Sequence, residues 1–309
     1  MSNLIFCLMG PTASGKTDLA CELLEQLPVE IISVDSAMIY RDMNIGTAKP
    51  DKQTLKRAPH HLIDMLDPPD NYSAAHFCED AVRISEQIIR QGKIPLLVGG
   101  TMMYFRALQQ GLSSLPEADE HVRAELLLQA EQHGWASLHD ELRRVDAMSA
   151  QRIHPNDTQR VQRALEVYRI TQRPLSELLS SKGTSDFDFV NLALLPSDRA
   201  WLHQRIAQRF EQMLSEGFVN EVEELLKKWH LTEAHPAMRT VGYRQIIAYL
   251  NGECDYADMI AKGIAATRQL AKRQLTWLRH WPESVVFSAE NPTNGVEILK
   301  VIKQVLNEA

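Results

Sequence analysis

The chain has 309 residues, 44% of them hydrophobic and 24% charged, and a formal charge of −7. That length and balance give one large or two ordinary globular domains with a sizeable core, and exclude disorder, collagen and a coiled coil as descriptions of the whole. The acidic surplus argues against a general nucleic-acid coat protein, although averages conceal local patches.

Leu4 to Met9 is a short apolar run closed by Gly10-Pro11, and Leu19, Ala20, Leu23, Leu24 and Leu27 then recur at helical spacing up to Pro28. This predicts a strand, a loop and a helix. Glu30 to Val34 is a second strand-like run ending at Asp35, and His60 and His61 precede a further predicted strand. Ser73 opens a helix whose apolar positions Phe77, Ala81, Val82, Ile84, Ile88 and Ile89 lead to a stop at Gly92. Ile94 to Val98 is another strand, ending at Gly99-Gly100-Thr101. Strands alternating with helices imply a mostly parallel sheet covered on both faces.

After Gly111 the pattern changes: Ser113-Ser114-Leu115-Pro116 reads as a hinge, and the residues that follow carry no convincing strand. Val190 to Leu195 resumes the strand signal, and Asp198 caps a helix that runs through Glu216 to Gly217. A long helix spans about Tyr256 to His280, followed by a short apolar run at Val285 to Phe287. The organisation predicted is a first part of the core over 1–115, an all-helical insertion over 116–186, and a second part of the core with a helical C-terminal region over 187–309.

No run approaches the roughly 18 apolar residues of a membrane helix, and no cleavable leader pattern opens the chain, so a cytoplasmic protein is expected. Cys7, Cys21, Cys78 and Cys254 are scattered without a Cys-x-x-Cys pair, which predicts reduced thiols and no zinc site. The histidines have no ligand spacing either.

Gly10-Pro11-Thr12-Ala13-Ser14-Gly15-Lys16-Thr17 matches G-x-x-x-x-G-K-[ST] in full, after a strand and opening a helix. Glycines let successive N–H groups curl inward, the helix N-terminus adds partial positive charge, Lys16 neutralises phosphate oxygens, and the Thr17 hydroxyl can hold Mg²⁺. The fold class is therefore α/β, a P-loop NTPase-like parallel sheet flanked by helices. The motif recognises a phosphate chain without deciding the chemistry.

Asp35 ends the second strand, so it belongs at the carboxyl edge of the sheet, where open α/β folds place their ligands. It reads either as a general base or as a carboxylate that orders Mg²⁺-bound water or caps the following turn. Gly99-Gly100-Thr101, where a Walker-B acid would stand, favours close backbone approach to a ligand with Thr101 as hydroxyl donor. Arg205 and Arg209 lie one turn apart on a helix whose apolar face is Leu202, Ile206, Phe210, Met213 and Leu214. Residues 151–173 hold five arginines against Asp157 and Glu166; residues 262–280 hold Lys262, Arg268, Lys272, Arg273 and Arg279 with no acid. Arg268, Lys272 and Arg279 form one helical stripe that could track phosphates, and Trp277 offers a stacking surface.

Together with the phosphate loop, the segments Ile-Ser-Val-Asp-Ser-Ala-Met-Ile-Tyr (32–40), Asn-Ile-Gly-Thr-Ala-Lys-Pro (44–50), Gly-Gly-Thr-Met-Met-Tyr (99–104), Arg-Ala-Leu-Glu-Val-Tyr (163–168), Arg-Thr-Val-Gly-Tyr-Arg-Gln (239–245) and Thr-Arg-Gln-Leu-Ala-Lys-Arg-Gln-Leu-Thr-Trp-Leu-Arg (267–279) resemble the bacterial tRNA dimethylallyltransferases, in family order across nearly the whole chain. The resemblance implies transfer of a dimethylallyl group from dimethylallyl diphosphate to N6 of the adenosine 3′-adjacent to the anticodon, in tRNAs reading codons that begin with U. The phosphate loop would hold the departing diphosphate with Mg²⁺, Asp35 would accept the amine proton, and Arg209 would join Lys16 and Thr101 as catalytic residues.

The resemblance also implies that the tRNA anticodon stem-loop meets Asp35, Ser36, Ala37 and Met38; Thr101 and Arg123; and Gln159, Arg160, Val161, Gln162 and Arg163. Further implied contacts are Arg239, Thr240, Val241, Gly242, Tyr243 and Arg244, and Lys272, Arg273, Gln274, Leu275, Thr276, Trp277, Leu278 and Arg279. The insertion would clamp the anticodon stem, with a monomer expected. One departure is Met38, where many members carry Gln, so an amide contact to the target base is not assigned there. No zinc-finger extension like that of eukaryotic members is expected, and no metal beyond Mg²⁺ is implied. A metabolite kinase using the same cradle for ATP, and a non-catalytic nucleotide-driven RNA switch, are the rival readings.

Overall fold

The computed structural model describes residues 3–111, 115–179, 185–233 and 235–308. The hinge residues Ser113 and Ser114 lie outside them. The chain forms two compact units, one of Met1–Gln109 with Asp186–Ala309 and one of Gln110–Ser185.

In the first unit, β1 (Leu4–Met9), α1 (Lys16–Leu24), β2 (Val29–Val34), α2 (Lys52–Arg57), β3 (His60–His61), α3 (Ala74–Arg90), β4 (Ile94–Gly99) and α4 (Met102–Gln110) precede the second unit. The second unit holds α5 (Glu120–Val145), α6 (Ala147–Arg152), α7 (Thr158–Thr171) and α8 (Leu175–Leu178). The chain then returns through β5 (Asp188–Leu195), α9 (Arg199–Ser215), α10 (Phe218–Trp229), a 3-10 turn at Pro236–Arg239, α11 (Tyr243–Leu250), α12 (Tyr256–Arg279), β6 (Ser284–Ser288) and α13 (Asn294–Glu308).

The six strands are parallel in the order β3-β2-β4-β1-β5-β6. Alternate β1 side chains supply two cores. Ile5, Cys7 and Met9 meet Phe77, Ala81 and Phe105 on one face, while Phe6 and Leu8 meet Leu19, Leu23, Ile298 and Ile302 on the other. Both faces are covered, which is why the strands read as continuous apolar runs. Because β1, β2 and β4 are neighbours in register, their carboxyl ends bring the phosphate loop, Asp35 and Gly99-Gly100-Thr101 to one edge.

Ser73 and Asp198 cap α3 and α9 as their positions predict, accepting from the His76 and Ala200 amides. One prediction is corrected. His60 and His61 are themselves the short edge strand β3, with Leu62 turning into the left-handed region at φ 63°. The second compact unit spans Gln110–Ser185, where the sequence leads one to expect an insertion over 116–186. That unit has its own core of Leu126, Leu138, Leu142, Val161, Leu165 and Val167. Gly134, at φ 77° and ψ 155°, breaks the helical path inside α5 and lets two helical pieces follow one another.

Candidate active site

The phosphate loop curls through left-handed conformations at Ala13 (φ 62°) and Gly15 (φ 88°) before α1 begins at Lys16. Three contacts hold it. The Gly10 N–H donates to the Gly99 carbonyl at 3.3 Å, the Thr12 N–H to Gln274 Oε1 at 2.9 Å, and Arg205 Nε to the Ala13 carbonyl at 2.9 Å. Arg205 also lies over the Trp201 ring at 5.0 Å. Arg205 is therefore committed to the loop backbone, whereas Arg209 forms no ion pair or hydrogen bond with a described residue.

Lys16 is half-buried, its Nζ donating to the Pro11 carbonyl at 2.6 Å and to Ser14 Oγ at 3.4 Å. Burial, then the positive charge of Arg209, lowers its pKa to about 7 against an opposing pull from Asp35. The Arg209 pKa is also lowered, chiefly by burial, with the charge of Asp35 acting the other way. Two half-buried cations without an acidic partner, close enough to repel one another, form an incomplete charge set that an anion completes.

Asp35 caps the turn after β2 through one oxygen: Oδ1 accepts from the Ala37 N–H at 2.8 Å and the Met38 N–H at 3.3 Å. Oδ2 has no hydrogen-bonding partner among the described residues, so the two sequence readings of Asp35 are compatible. Thr101 binds this turn to β4: its N–H donates to the Val34 carbonyl at 3.2 Å and its Oγ1 accepts from the Ser36 N–H at 3.2 Å. A Cβ at residue 99 would fall on the Val34 carbonyl oxygen, so this close approach requires glycine.

The 44–50 segment is fastened by Glu221, a residue the sequence reading did not select. Its carboxylate accepts from the Asn44, Ile45 and Gly46 amides at 2.9, 2.7 and 3.1 Å and from the Tyr243 hydroxyl at 2.6 Å. No local pattern marks Glu221, because three of these partners lie 175 or more residues away in sequence.

The residues that the resemblance assigned to tRNA separate by burial. Val161, Gly242, Tyr243, Gln274, Leu275 and Leu278 are buried and Ala37 is 8% exposed. Ser36, Arg123, Gln159, Arg160, Arg239, Arg244, Lys272, Arg273, Thr276, Trp277 and Arg279 are exposed, while Asp35, Met38, Thr101, Gln162, Arg163, Thr240 and Val241 are half-buried. Within the helical unit, Arg123 and Arg163 clamp Glu166, which is fully buried, at 2.8 and 2.7 Å, and the Asp119 N–H adds a third bond at 2.8 Å. Arg160, Arg169 and Arg173 likewise pair with Asp157, Glu141 and Glu177.

Helix α12 differs: Lys262, Arg268, Lys272, Arg273 and Arg279 are all exposed and none forms an ion pair with a described residue. One face of Trp277 is covered by Arg106, 5.5 Å from the ring centre, so an exposed α4 cation that sequence reasoning missed joins this surface.

For a magnesium ion, Thr17 opens α1 beside Lys16, and its hydroxyl has no hydrogen bond with a described residue. No cluster of three or more His, Cys, Asp and Glu suited to a metal occurs among the described residues. A single hydroxyl at a phosphate loop fits Mg²⁺, which takes most of its ligands from substrate phosphates and water.

Residues 38–281 match the family model described as IPP transferase. A tRNA dimethylallyltransferase of Legionella pneumophila strain Paris is 59% identical over 308 residues, covering 99% of this chain and 98% of that protein. The tRNA dimethylallyltransferase 2 of Hahella chejuensis is 52% identical over 312 residues, covering 96% and 94%. Among solved structures, the full-length tRNA isopentenylpyrophosphate transferase of Bacillus halodurans aligns with a TM-score of 0.74 and 33% identity, covering 99% of this chain and 98% of that one. A eukaryotic dimethylallyltransferase described as acting on tRNA aligns with a TM-score of 0.83 and 25% identity, covering 99% and 80%. By a family match over most of its length and by relatives more than half identical from end to end, this chain belongs to the IPP transferase family.

Proposed function

We infer that this chain is a tRNA dimethylallyltransferase: it moves the dimethylallyl group from dimethylallyl diphosphate to N6 of the adenosine 3′-adjacent to the anticodon, in tRNAs reading codons that begin with U. The products are N6-(dimethylallyl)adenosine and diphosphate. The observation that carries this reading beyond the family is the setting of two half-buried cations, Lys16 and Arg209, neither ion-paired to a described residue, with an Asp35 whose Oδ2 has no hydrogen-bonding partner among the described residues.

As the N6–C1 bond forms and the allylic C–O bond breaks, negative charge gathers on the leaving diphosphate. Loop amides, Lys16 and Arg209 are placed to stabilise it without reorganising. The Thr12 amide is taken by Gln274, so the remaining loop amides do this work. Asp35 Oδ2 accepts the proton that N6 sheds, while the Ala37 and Met38 amides keep the carboxylate aimed. Thr101 holds the same turn, and its hydroxyl hydrogen remains available to the substrate. When bound at Thr17, Mg²⁺ supplies further charge neutralisation at the diphosphate oxygens.

A stacked anticodon-loop base must be turned out of its stack to reach Asp35. The unpaired cations of α12 are suited to the RNA backbone, and the helical unit to the anticodon stem. No described helix is long and apolar enough to cross a membrane, and we place the protein in the cytoplasm as a monomer.

The test is transfer of radiolabel from tail-labelled dimethylallyl diphosphate into unmodified tRNA, with Mg²⁺ and without ATP. Label is expected at the adenosine 3′ of the anticodon, with turnover falling about 10²–10⁴-fold in Asp35→Ala while tRNA affinity is largely kept. ADP formation from ATP without label transfer would mean that the loop serves a kinase.

A further inference from the structure

We propose that Gln274 is a positioning residue for the transfer, holding the phosphate loop and the turn after β4 in one register; the proposal rests on the transferase reading. Its side chain is 9% exposed on the inner face of α12, flanked by Ala271 and Leu275, which pack with Ala13 of the loop and with Leu202 and Ile206 of α9. Oε1 accepts from the Thr12 N–H and Nε2 donates to the Gly100 carbonyl, both at 2.9 Å. The two partners fix the amide's orientation, since one demands an acceptor and the other a donor.

Gly100 is closely matched to this side chain: a Cβ there would collide with Gln274 Nε2. The residue after Gly100 is Thr101, whose Oγ1 receives the Ser36 N–H beside Asp35. A single buried amide thus stands between the loop that cradles the leaving group and the turn that fixes the base. Lys272 and Arg273, adjacent to it on α12, face solvent. RNA affinity resides on that outer face, whereas the alignment of diphosphate and Asp35 depends on the inner one. A misplacement of about 1 Å between reacting groups costs up to about 10²-fold in rate.

Three variants test this. Gln274→Met keeps the volume and removes both hydrogen bonds; kcat should fall at least about ten-fold in the folded protein, while KM for tRNA stays within about three-fold. Gly100→Ala, which displaces the same amide, should lose kcat in the same way. Gln274→Glu restores the missing donor only when its carboxyl is protonated, and burial at this position raises that carboxyl above its ordinary range, so its kcat relative to the parent should recover as pH is lowered from 8 to 5. A folded Gln274→Met enzyme with the parent's kcat, or a flat Gln274→Glu ratio, overturns the proposal; a purely structural glutamine would lower only the melting temperature. Calorimetry with inorganic diphosphate separates this inference from the reading beneath it. If the parent transfers no label the transferase reading falls, and the bridge is then judged on diphosphate affinity alone: weaker binding by Gln274→Met supports it and equal binding overturns it.

Discussion

Raising the pH should loosen the grip on diphosphate, because Lys16 of the free protein sheds its proton near pH 7. Burial is the main cause, Arg209 adds to it, and Asp35 opposes both. A diphosphate in the loop reverses the balance by placing negative charge against Nζ, so the bound state holds the ammonium across the neutral and mildly alkaline range. Binding then takes up a proton wherever the free enzyme has lost one. With a free-state pKa of about 7, roughly half of Lys16 is charged at pH 7 and about one-hundredth at pH 9, so the apparent Kd should rise about fifty-fold over that interval.

The assay is calorimetric titration with a non-hydrolysable dimethylallyl diphosphate analogue, repeated in buffers of different ionisation enthalpy; uptake of about 0.9 proton is expected at pH 8. Lys16→Arg is the control, since its guanidinium stays charged throughout and its curve contains only the ligand's own titration. The wild-type to Lys16→Arg ratio is the quantity that must change. A ratio constant from pH 6.5 to 9 would show that Lys16 remains an ammonium in the free protein and would refute the argument. The same linkage has a second sign to check. The unfolded chain keeps its lysine proton up to about 10.5, so the stability of the ligand-free protein should gain a rising contribution from Lys16 between about pH 7 and 10.5.

Replacing Arg268, Lys272 and Arg279 together with glutamine should reduce the slope of log K against log salt for tRNA by about two to three, leaving diphosphate affinity unchanged; an unchanged slope in filter binding would remove α12 from the RNA surface. Burial raises the Glu166 carboxyl's pKa, but bonds from Arg163, Arg123 and the Asp119 amide outweigh it and hold it below its ordinary value of 4.5. Its stabilisation is therefore present above that value and lost as pH falls through the folded-state pKa. Glu166→Gln should cost about 2 kcal/mol at pH 7 in chemical denaturation, less than a fully buried pair because the arginine side chains are 45% and 29% exposed, and the deficit should shrink in acid. Gly46→Ala would drive a methyl into the buried edge-to-face pair of Phe218 and Tyr243, whose centroids are 4.9 Å apart, and should lower stability by about 1–3 kcal/mol; a melting curve within about a degree of the parent's would show that the 44–50 segment yields instead.

The elements legible in the sequence are those whose cause is local. The strand before the phosphate loop, the Ser73 and Asp198 caps, and the stop at Gly92 all follow from patterning and backbone preference over a few residues. β3 is not legible in the sequence, because two residues carry no periodicity and its strand character comes only from pairing with Ile31 and Ile32. Pieces of the site divide in the same way. The loop motif announces its anion, and Asp35 stands where a strand ends, but Gln274 reaches Thr12 across 262 residues and Gly100 across 174. Nothing in the local sequence distinguishes it from the neighbouring polar residues of the same helix.

The two basic segments show why charge counts alone do not locate an RNA surface. Residues 151–173 and 262–280 hold five cations each, and the first looks the better clamp because its cations are all arginine. In the structure Arg163, joined by Arg123 of α5, closes on a carboxylate with no exposure, and Arg160, Arg169 and Arg173 are paired with acids, which leaves only Arg152 of the segment without an ion pair to a described residue. A cation neutralising a buried carboxylate can turn to a phosphate only by leaving that carboxylate unpaired, which offsets much of the gain. Lys262, Arg268, Lys272, Arg273 and Arg279 have no such prior partner among the described residues, so each can displace counterions from an RNA backbone at little internal cost. The difference arises from the acids: the 262–280 segment contains none, and among the described residues none forms an ion pair with it. Gln274 lies on the opposite, inner side of that same segment, so one helix presents unpaired charge to solvent and a fixed amide to the phosphate loop.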